Sequence, residues 1–305
     1  MKQILFTLLI LTTIGLMSCR KNRNDIDIKQ YDQQQIDAYI AANGITGMQR
    51  DTTGGDTSGI RYKIITAGKG AQVDYPDEIS FVYTFKSFDG KFIAGDTVIN
   101  HFDGALGNVS PSGLLLGIRN LLKYKGGKIR MLIPSHLAFG VNGTGTGSST
   151  NTSGRIAGNQ CLDYTVNLID KQDVYDDMVI KNYMTANTLT GYTEITSGKY
   201  SGMYYKITTP GTGISPISLN STITCTYTGL LFNGTTFSSV TTEGGTSFNL
   251  PDLTDGVQGG LQLVTAGASI SLLIPSRYEY GTAGSSGIPS NACLRFDFNI
   301  LTVTN

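Results

Sequence analysis

The sequence contains two similar phrases whose shared aromatic position is a tyrosine in one and a phenylalanine in the other. Residues 274–281 read IPSRYEYG and residues 133–140 read IPSHLAFG, so Tyr280 carries a hydroxyl group that Phe139 lacks. A phenolic hydroxyl can donate a hydrogen bond, whereas a phenylalanine ring offers only an apolar surface. The pattern predicts two related sites, of which the second is the better equipped for chemistry.

Metal and acid–base chemistry find little support in the sequence. His101 and His136 are the only histidines, and none of the four cysteines has CxxC spacing, so a zinc site is not expected. Asp252 and Asp255 lie beside a predicted helix, where carboxylates more commonly cap the helix than act as an acid–base pair. The sequence therefore predicts neither a metal nor a cofactor.

The composition is typical of a globular protein rich in β-structure. The 305 residues are 15% charged and 40% hydrophobic, with 38 glycines and no net charge. The absence of a basic excess argues against nucleic acid as a partner. Cys161 and Cys293 occupy the same place in two repeated phrases, where a small apolar side chain suffices. We expect no disulfide, even in an oxidising compartment.

The first nineteen residues, MKQILFTLLILTTIGLMSC, form a separate unit. Lys2 precedes an apolar run that is too short to span a bilayer comfortably, which is typical of a secretory signal. The closing LMSC resembles the lipobox of bacterial lipoproteins, in which the cysteine is diacylated, so Cys19 is the expected lipidation site. The alternative is a plain signal peptide with an incidental cysteine. We expect a lipid-anchored envelope protein on the periplasmic face of the outer membrane, with surface exposure as the alternative.

The repeated phrases belong to a tandem duplication that covers most of the chain. QYDQQQIDAYIAANGIT at residues 30–46 matches VYDDMVIKNYMTANTLT at residues 174–190. The period of about 130–145 residues is too long for a solenoid and is typical of two domains. The predicted segments are a signal peptide over 1–19, a tether and helix over 20–57, a first domain over 58–172, a linker helix over 173–200 and a second domain over 201–305.

Each copy is predicted to begin with an amphipathic helix and to continue as strands. In the second copy, Val179, Ile180, Tyr183 and Met184 recur at helical spacing. The segments rich in Thr, Tyr and Ile that follow are typical of strands. One further short helix is predicted within GLLLGIRNLLKY of the first copy and DGVQGGLQLVTAG of the second. The economical fold is α+β, with a mostly antiparallel sheet wrapped around that short helix.

Four motifs of the second copy together resemble the FKBP-type peptidyl-prolyl isomerases. They are YTGLLFNGTTF, a helix that ends at Gly267, IPSRYEYG and GIPSNACLRFDF, and their order and spacing match along residues 200–303. The first copy matches with weaker motifs. The resemblance implies two FKBP-like domains, each an antiparallel β half-barrel of five or six strands around a short helix. It also implies a shallow proline pocket lined by aromatic side chains.

The resemblance carries pocket roles onto eight residues of the second copy. Tyr280 matches the family's hydroxyl donor, and Phe237 and Phe296 match pocket walls. The expected catalytic residues are Tyr280, Phe237, Tyr227 and Phe296, and the expected substrate-binding residues are Phe248, Leu253, Val257 and Ile288.

Both copies depart from the family pattern. Ser238, Val257 and Ser285 stand where the family commonly has Asp, Trp and His. In the first copy, Phe139 replaces the hydroxyl donor and Ile93 stands at the Asp position. A Gly/Ser/Thr-rich insert also enlarges the loop that would overhang the first pocket. The other expected substrate-binding residues of the first copy are Tyr83, Phe92, Ile156 and Tyr164, with a floor residue within 114–116.

The resemblance implies catalysis of rotation about X-Pro bonds in exported polypeptides. That rotation faces a barrier of about 18–20 kcal/mol and takes about 10–100 s uncatalysed, so it can limit folding. We expect the second copy to be the better catalyst. Two alternatives remain open, a non-catalytic chaperone that holds Pro-containing segments and a structural spacer. Aromatic residues on strands can also close a hydrophobic core that has no pocket.

Overall fold

The structure is a computed structural model that describes residues 26–53, 58–146 and 154–305. The predicted signal segment with Cys19 and the middle of the Gly/Ser/Thr insert lie outside these residues. The described chain has mixed α and β structure built on antiparallel sheets, and it is divided below into an N-terminal repeat (26–171) and a C-terminal repeat (172–305). Among the described residues, none of the helices is both long and apolar enough to span a bilayer.

The N-terminal repeat begins with a long helix and continues mainly as strands. Its helices are α1 (Ile28–Ala42) and α2 (Ser112–Leu116), and a π-helical turn (Gly117–Leu122) follows α2. Its strands are β1 (Gln49–Arg50), β2 (Arg61–Thr66), β3 (Glu78–Ser87), β4 (Ile93–Ala94), β5 (His101–Ala105), β6 (Lys128–Ile133), β7 (Thr144–Gly145), β8 (Arg155–Ile156) and β9 (Leu162–Ile169).

The C-terminal repeat follows the same plan. Its helices are α3 (Gln172–Ala186) and α4 (Asp255–Leu261). Its strands are β10 (Thr193–Glu194), β11 (Tyr204–Thr209), β12 (Thr222–Leu231), β13 (Thr236–Val240), β14 (Thr246–Asn249), β15 (Ser269–Ile274) and β16 (Leu294–Thr304).

The duplication is visible in the strand order of the two sheets. The first sheet runs β1-β2-β6-β9-β3-β4 with β5 also on β3, and the second runs β10-β11-β15-β16-β12-β13 with β14 also on β12. All these pairings are antiparallel. Each sheet has seven strands rather than five or six, because a two-residue strand from the segment before each predicted domain joins its edge.

The short helix of each repeat packs closely on the sheet because glycines face the strands. A Cβ atom on Gly256 would lie 2.3 Å from the Ile274 side chain, and one on Gly260 would lie 2.3 Å from Leu272. These distances exclude any side chain without movement of the helix. The glycines therefore fix how deeply α4 sits in the concave side of its sheet.

The matching glycines of α2 resolve an ambiguity in the sequence alignment. Gly113 faces Ile133 as Gly256 faces Ile274, so Leu114 is the structural counterpart of Val257. Both residues are almost completely buried, at 2% and 4% exposure. The floor residue of the first copy, left within 114–116 by the sequence, is Leu114.

The long helices α1 and α3 are each attached to the sheet by a buried carboxylate. Asp32 accepts a hydrogen bond from the Ser135 hydroxyl at 2.7 Å and contacts His136 Nδ1 at 2.7 Å. In the second repeat, Asp176 accepts bonds from the Ser276 hydroxyl and backbone N–H at 2.7 and 2.9 Å. These contacts join each helix to the turn that precedes the repeated aromatic position, and they give His136 a structural partner.

The two repeats contact each other through residues 96–103 of the first. The Asn233 side chain donates to Asp96 at 2.6 Å, and the Asn291 side chain donates to Asp103 at 2.9 Å. Val98 packs against the hydrophobic core of the C-terminal repeat. These contacts predict that the repeats stabilise each other even though each has its own core.

His101 lies in this interface, beside a cavity of about 40 Å³ between the repeats. Its Nε2 atom lies 2.7 Å from the Ser80 hydroxyl. Burial lowers the pKa of His101 from 6.5 to about 4, although the nearby Asp103 carboxylate acts in the opposite direction. The folded protein therefore holds this imidazole neutral at neutral pH.

His101 should make the protein sensitive to mild acid. Because its folded pKa is below the ordinary value, its stabilising effect is complete above pH 6.5 and is lost as the pH falls from 6.5 towards 4. The loss should reach about 3 kcal/mol in the free energy of unfolding. We expect His101→Gln to remove this pH-dependent loss of unfolding free energy, as measured by urea unfolding at a series of pH values. Identical pH dependence in the two proteins would contradict it.

Candidate functional site

The C-terminal repeat contains an aromatic cavity of about 160 Å³. It opens on the concave side of the sheet, between β13, β14 and the loop that leads into α4. Seven of the eight residues predicted for the second copy line it, namely Tyr227, Phe237, Phe248, Leu253, Val257, Tyr280 and Phe296. The structure therefore brings together residues that are spread over 70 positions of the sequence, from 227 to 296.

The strands place the aromatic side chains through their pairing register. Tyr227 of β12 lies opposite Phe298 of β16, and Gly229 lies opposite Phe296 two residues along. Because side chains on one face of a strand recur every second residue, these positions all face the cavity. Phe237 comes from β13 and supplies the remaining wall.

The aromatic rings contact one another around the cavity. Phe237 meets Phe296 edge to face, with centroids 5.5 Å apart and ring planes at 88°. Tyr227 meets Phe248 in a similar arrangement at 5.8 Å and stacks with Phe298 at 5.7 Å. Such ring pairs have defined geometry, so the walls of the cavity are held in place before any ligand enters.

A serine replaces the family's usual carboxylate beside the cavity. Ser238 Oγ lies 2.8 Å from the Tyr227 hydroxyl, so the two form a hydrogen bond without a charged partner. The deep wall of the cavity is consequently neutral. Asp252 also contributes to the lining, where its carboxylate accepts a hydrogen bond from Asn249 at 3.0 Å.

Tyr280 carries the hydroxyl group that is missing from Phe139 in the first of the repeated phrases. Within the described ranges, the structure gives this hydroxyl no hydrogen-bond partner. Burial, then the charge of Glu279, raises the pKa of Tyr280 above its usual value, so the phenol stays protonated. Tyr280 can therefore donate a hydrogen bond to a group that enters the cavity.

One predicted residue lies outside the cavity lining, and four lining residues were not predicted. Ile288 is only 6% exposed and packs in the hydrophobic core, where its carbonyl accepts a hydrogen bond from the Ser285 N–H at 2.8 Å. Ile288 is not among the residues that line the cavity, and its assignment to the pocket stays a prediction. Phe298 lines the cavity instead. The sequence contained one signal for Phe298. It lies two residues after Phe296 on the same strand, and such residues share a face of the sheet.

Four unpredicted residues complete the lining, namely Ser238, Asp252, Thr254 and Phe298. Within the described part of the chain, no group of three His, Cys, Asp or Glu residues could hold a metal ion. The cavity can therefore bind an apolar group by contact and offer it one phenolic donor, and its lining contains no nucleophile–base pair.

The corresponding region of the N-terminal repeat is filled by a side chain. Phe85 of β3 lies opposite Tyr164, as Gly229 lies opposite Phe296 in the other repeat. Phe85 stacks on Tyr164 at 4.5 Å and on Phe92 at 5.2 Å. A phenylalanine thus occupies the space that the second repeat leaves open at a glycine.

The other residues predicted for the first pocket contribute to the same packing. Tyr83 and Phe139 are half-buried against the core, and Tyr83 lies 6.1 Å from Tyr164. Ile156 and Tyr164 are themselves buried in that core, at 3% and 2% exposure. The structure therefore brings these residues together as a hydrophobic cluster around Phe85.

Comparison with known proteins gives a family match over the region that contains the cavity of the C-terminal repeat. Residues 215–301 match the family described as FKBP-type peptidyl-prolyl cis-trans isomerase, and this range contains every residue that lines the cavity. Residues 215–301 of the C-terminal repeat therefore resemble an FKBP-type peptidyl-prolyl isomerase domain, which we call the FKBP domain below. The N-terminal repeat lies outside the matched range.

Three similar proteins illustrate the extent of the match. The chain is 32% identical over 135 residues to the FKBP-type peptidyl-prolyl cis-trans isomerase FkpA of Aeromonas hydrophila, which covers 44% of this chain and 49% of that protein. It is 34% identical over 105 residues to the outer membrane protein MIP of Legionella longbeachae, over 34% and 45% of the two chains. The crystal structure of FkpA from Escherichia coli matches with 30% identity and a TM-score of 0.37, over 43% and 61%.

The chain thus spans about half the length of the curated relatives that it matches.

Within the FKBP domain, Gly229 explains why the cavity exists. A Cβ atom at this position would lie 2.6 Å from the Phe237 ring and 2.9 Å from the Phe296 ring, so any larger residue would displace the walls. The second repeat has this glycine where the first repeat has Phe85, and that difference determines which repeat has a cavity.

Exchanging these two residues should exchange the properties of the repeats. Gly229→Phe should fill the FKBP cavity and abolish binding of a proline-containing peptide, while Phe85→Gly should open the first repeat and cost about 3–5 kcal/mol in stability. Calorimetric titration measures the binding and urea unfolding measures the stability. Undiminished peptide binding by a folded Gly229→Phe protein would show that the ligand site lies elsewhere.

Proposed function

We propose that the C-terminal FKBP domain is a peptidyl-prolyl cis-trans isomerase that acts on Pro-containing segments of exported proteins. The observation that carries the proposal is an aromatic cavity with a neutral wall and one unpartnered phenolic hydroxyl, Tyr280. The family of residues 215–301 supports the same reaction. Because the match covers about half of each relative, the activity of the whole chain is part of the proposal.

The cavity suits this reaction because a twisted amide is less polar than a planar one. Rotation about the X-Pro bond loses amide resonance, which is the source of the barrier of about 18–20 kcal/mol. An apolar cavity disfavours the polar planar form, and only interactions that strengthen in the twisted state lower the barrier. Phe237 and Phe296 would hold the proline ring, and Tyr280 would donate to the carbonyl that precedes it.

Removing the Tyr280 hydroxyl should reduce the rate modestly. Tyr280→Phe deletes one neutral hydrogen bond, worth about 0.5–1.5 kcal/mol, so kcat/KM should fall roughly 2- to 13-fold. Phe237→Ala deletes a wall and should lower kcat/KM by about tenfold or more. Isomerisation of a proline-containing peptide by the full chain measures both, with circular dichroism to verify folding.

The N-terminal repeat offers a matched control for this series. Phe139→Tyr adds the hydroxyl at the equivalent position, but Phe85 fills the adjoining space, so the activity should not rise. Full activity of Tyr280→Phe, or of a folded Phe237→Ala, would show that the reaction occurs at another place. Inactivity of the unmodified protein would favour a binding role for the domain.

We propose that the N-terminal repeat is a divergent FKBP-like domain without isomerase activity, in which a half-barrel sheet encloses α2. The packing of Phe85 against Tyr164 supports this role, because it removes the space that a proline ring would need. The second candidate function follows from this observation. The repeat would hold or present polypeptides, or act as a structural partner of the isomerase domain, as in a chaperone with one catalytic unit.

We propose that the protein works in the bacterial cell envelope as a lipoprotein. The sequence LMSC that ends at Cys19 supports lipid attachment, and one similar protein carries the name outer membrane protein MIP. A periplasmic location would place the isomerase beside newly exported chains, whose slow proline isomerisation limits folding. Cys19 lies outside the residues that the structure describes.

The lipid anchor is testable by one substitution. Cys19→Ser should leave an unlipidated protein that accumulates as a precursor, because the cysteine thiol is the acceptor of the diacylglycerol group. Fractionation of membranes and incorporation of labelled palmitate would measure the effect. Normal lipid labelling of the Cys19→Ser protein would contradict the assignment and leave a plain signal peptide as the better description.

A further inference from the structure

Glu279 is a half-buried residue whose carboxyl group is buried behind the aromatic cavity. It stands between Tyr278 and Tyr280, and its Oε1 atom approaches the backbone of α4, 2.7 Å from where a Cβ of Gly256 would lie. Both carboxyl oxygens are buried without a hydrogen-bond partner in the described part of the protein. Such a group is expensive to bury, so its retention requires an explanation.

The turn itself does not need an acid at this position. In the N-terminal repeat, the equivalent residue is Ala138, with φ −98° and ψ −115°. Glu279 has nearly the same backbone, with φ −117° and ψ −112°. The same turn therefore forms with a methyl group, and the acid occurs in the repeat that has an open cavity.

The polar groups nearest to Glu279 belong to the cavity. The Thr254 hydroxyl and the Val257 N–H approach the carboxyl group, and the side chains of both residues line the cavity. The Thr254 hydroxyl is also buried and lacks a hydrogen bond of regular geometry in the described structure. Thr254 occupies the N-cap position of α4 without a side-chain capping bond, and Val257 lies at the cavity floor, so Glu279 approaches both from behind.

Charged and titratable neighbours do not neutralise an ionised Glu279. The charge that acts on Glu279 is that of Asp255 on α4, which is itself paired with Lys199 at 3.1 Å. Tyr278 and Tyr280 flank Glu279 on its own segment. Burial, with Asp255 adding to it, raises the pKa of Glu279 from 4.5 to about 8. The acid is therefore neutral at neutral pH and can donate as well as accept a hydrogen bond.

We propose that Glu279 is a positioning residue of the isomerase site, whose neutral acid form holds the Thr254 cap and the Val257 floor in the geometry that fits a proline ring. When the acid ionises, it loses its donor and pulls the Thr254 hydroxyl and the Val257 N–H towards the carboxylate. The floor then moves relative to the aromatic walls. This inference rests on the proposed isomerase function of the same cavity.

Two consequences follow for pH dependence. Activity should decline as the pH rises through about 8, well before Tyr280 ionises, since the pKa of that phenol is above its usual value. Stability should change in the same direction. The folded pKa is above the ordinary 4.5, so the contribution of Glu279 to stability is greatest below pH 4.5 and is lost as the pH rises towards 8.

The experiment uses the full chain and four proteins, namely wild type, Glu279→Gln, Glu279→Ala and Glu243→Gln. Glu243 is an exposed acid of the same repeat, so Glu243→Gln removes the same charge away from the cavity floor. Peptide isomerisation is measured from pH 6 to 9.5, with kcat and KM separated. Amide NMR signals of Thr254 and Val257 are followed over the same range.

In the wild type and in Glu243→Gln, kcat/KM should fall roughly 3- to 10-fold above pH 8. This is the effect expected from the free energy of one misplaced hydrogen bond. Glu279→Gln should give a flat profile, because its amide cannot ionise. Glu279→Ala should unfold at a higher temperature at pH 7 yet show a lower kcat/KM. The Thr254 and Val257 amides should titrate in the wild type and not in Glu279→Gln.

The two hypotheses can fail separately. If the Thr254 and Val257 amides do not titrate near pH 8, or if Glu279→Ala matches the wild type in kcat/KM and pH profile, the positioning role of Glu279 is wrong. If those amides titrate through Glu279 but the wild type isomerises no peptide at any pH, the positioning of the cavity floor stands. The proposed enzymatic function is then the part that fails.

Discussion

The structure depends on the close contact between a short helix and the concave side of an antiparallel sheet. Gly256 and Gly260 lie one turn apart and leave no room for a Cβ atom against Ile274 and Leu272. That contact fixes the height of α4, and with it the position of Val257 below the aromatic rings. A bulkier residue at either glycine would raise the helix into the space that the cavity occupies.

Given this scaffold, the difference between the repeats reduces to the volume at one strand position. Gly229 leaves the concave face of its sheet open between Phe237 and Phe296, whereas Phe85 fills the same region of the first repeat. Filling the cavity increases the apolar contact of the first core, and leaving it open makes a binding site. The same fold thus supports a packed domain and a domain with a pocket.

Much of this architecture could be predicted from the sequence because duplication and strand periodicity leave local signals. The repeated phrases predicted two copies, and the resemblance of the second copy to the FKBP-type isomerases predicted the aromatic walls, including Tyr227 and Phe296. The sequence did not indicate how deeply individual side chains are buried. Ile288 packs in the core next to a backbone bridge with Ser285, which the sequence pattern does not indicate.

Other features depend on partners that are distant in the sequence. Phe85 could have been noticed by aligning it with Gly229, but its effect depends on which rings face it across the sheet. Glu279 resembles any surface acid in the sequence, and only its burial against α4 distinguishes it. The contact between the repeats likewise leaves no periodic signal in the sequence, because it joins a loop and the start of β5 in one repeat to a helix and loops of the other.

That contact is head-to-tail rather than symmetric, since residues 96–103 of the first repeat meet a different face of the second. A heterologous contact of this kind does not close on itself and can in principle continue along a row of repeats. The second repeat meets its neighbour with Val179 and Ala292, which line the cavity between the repeats. The first repeat carries Gln35 and Gln160 at the equivalent places. These amides make that face more polar than its counterpart in the second repeat, as in the terminal units of repeat arrays.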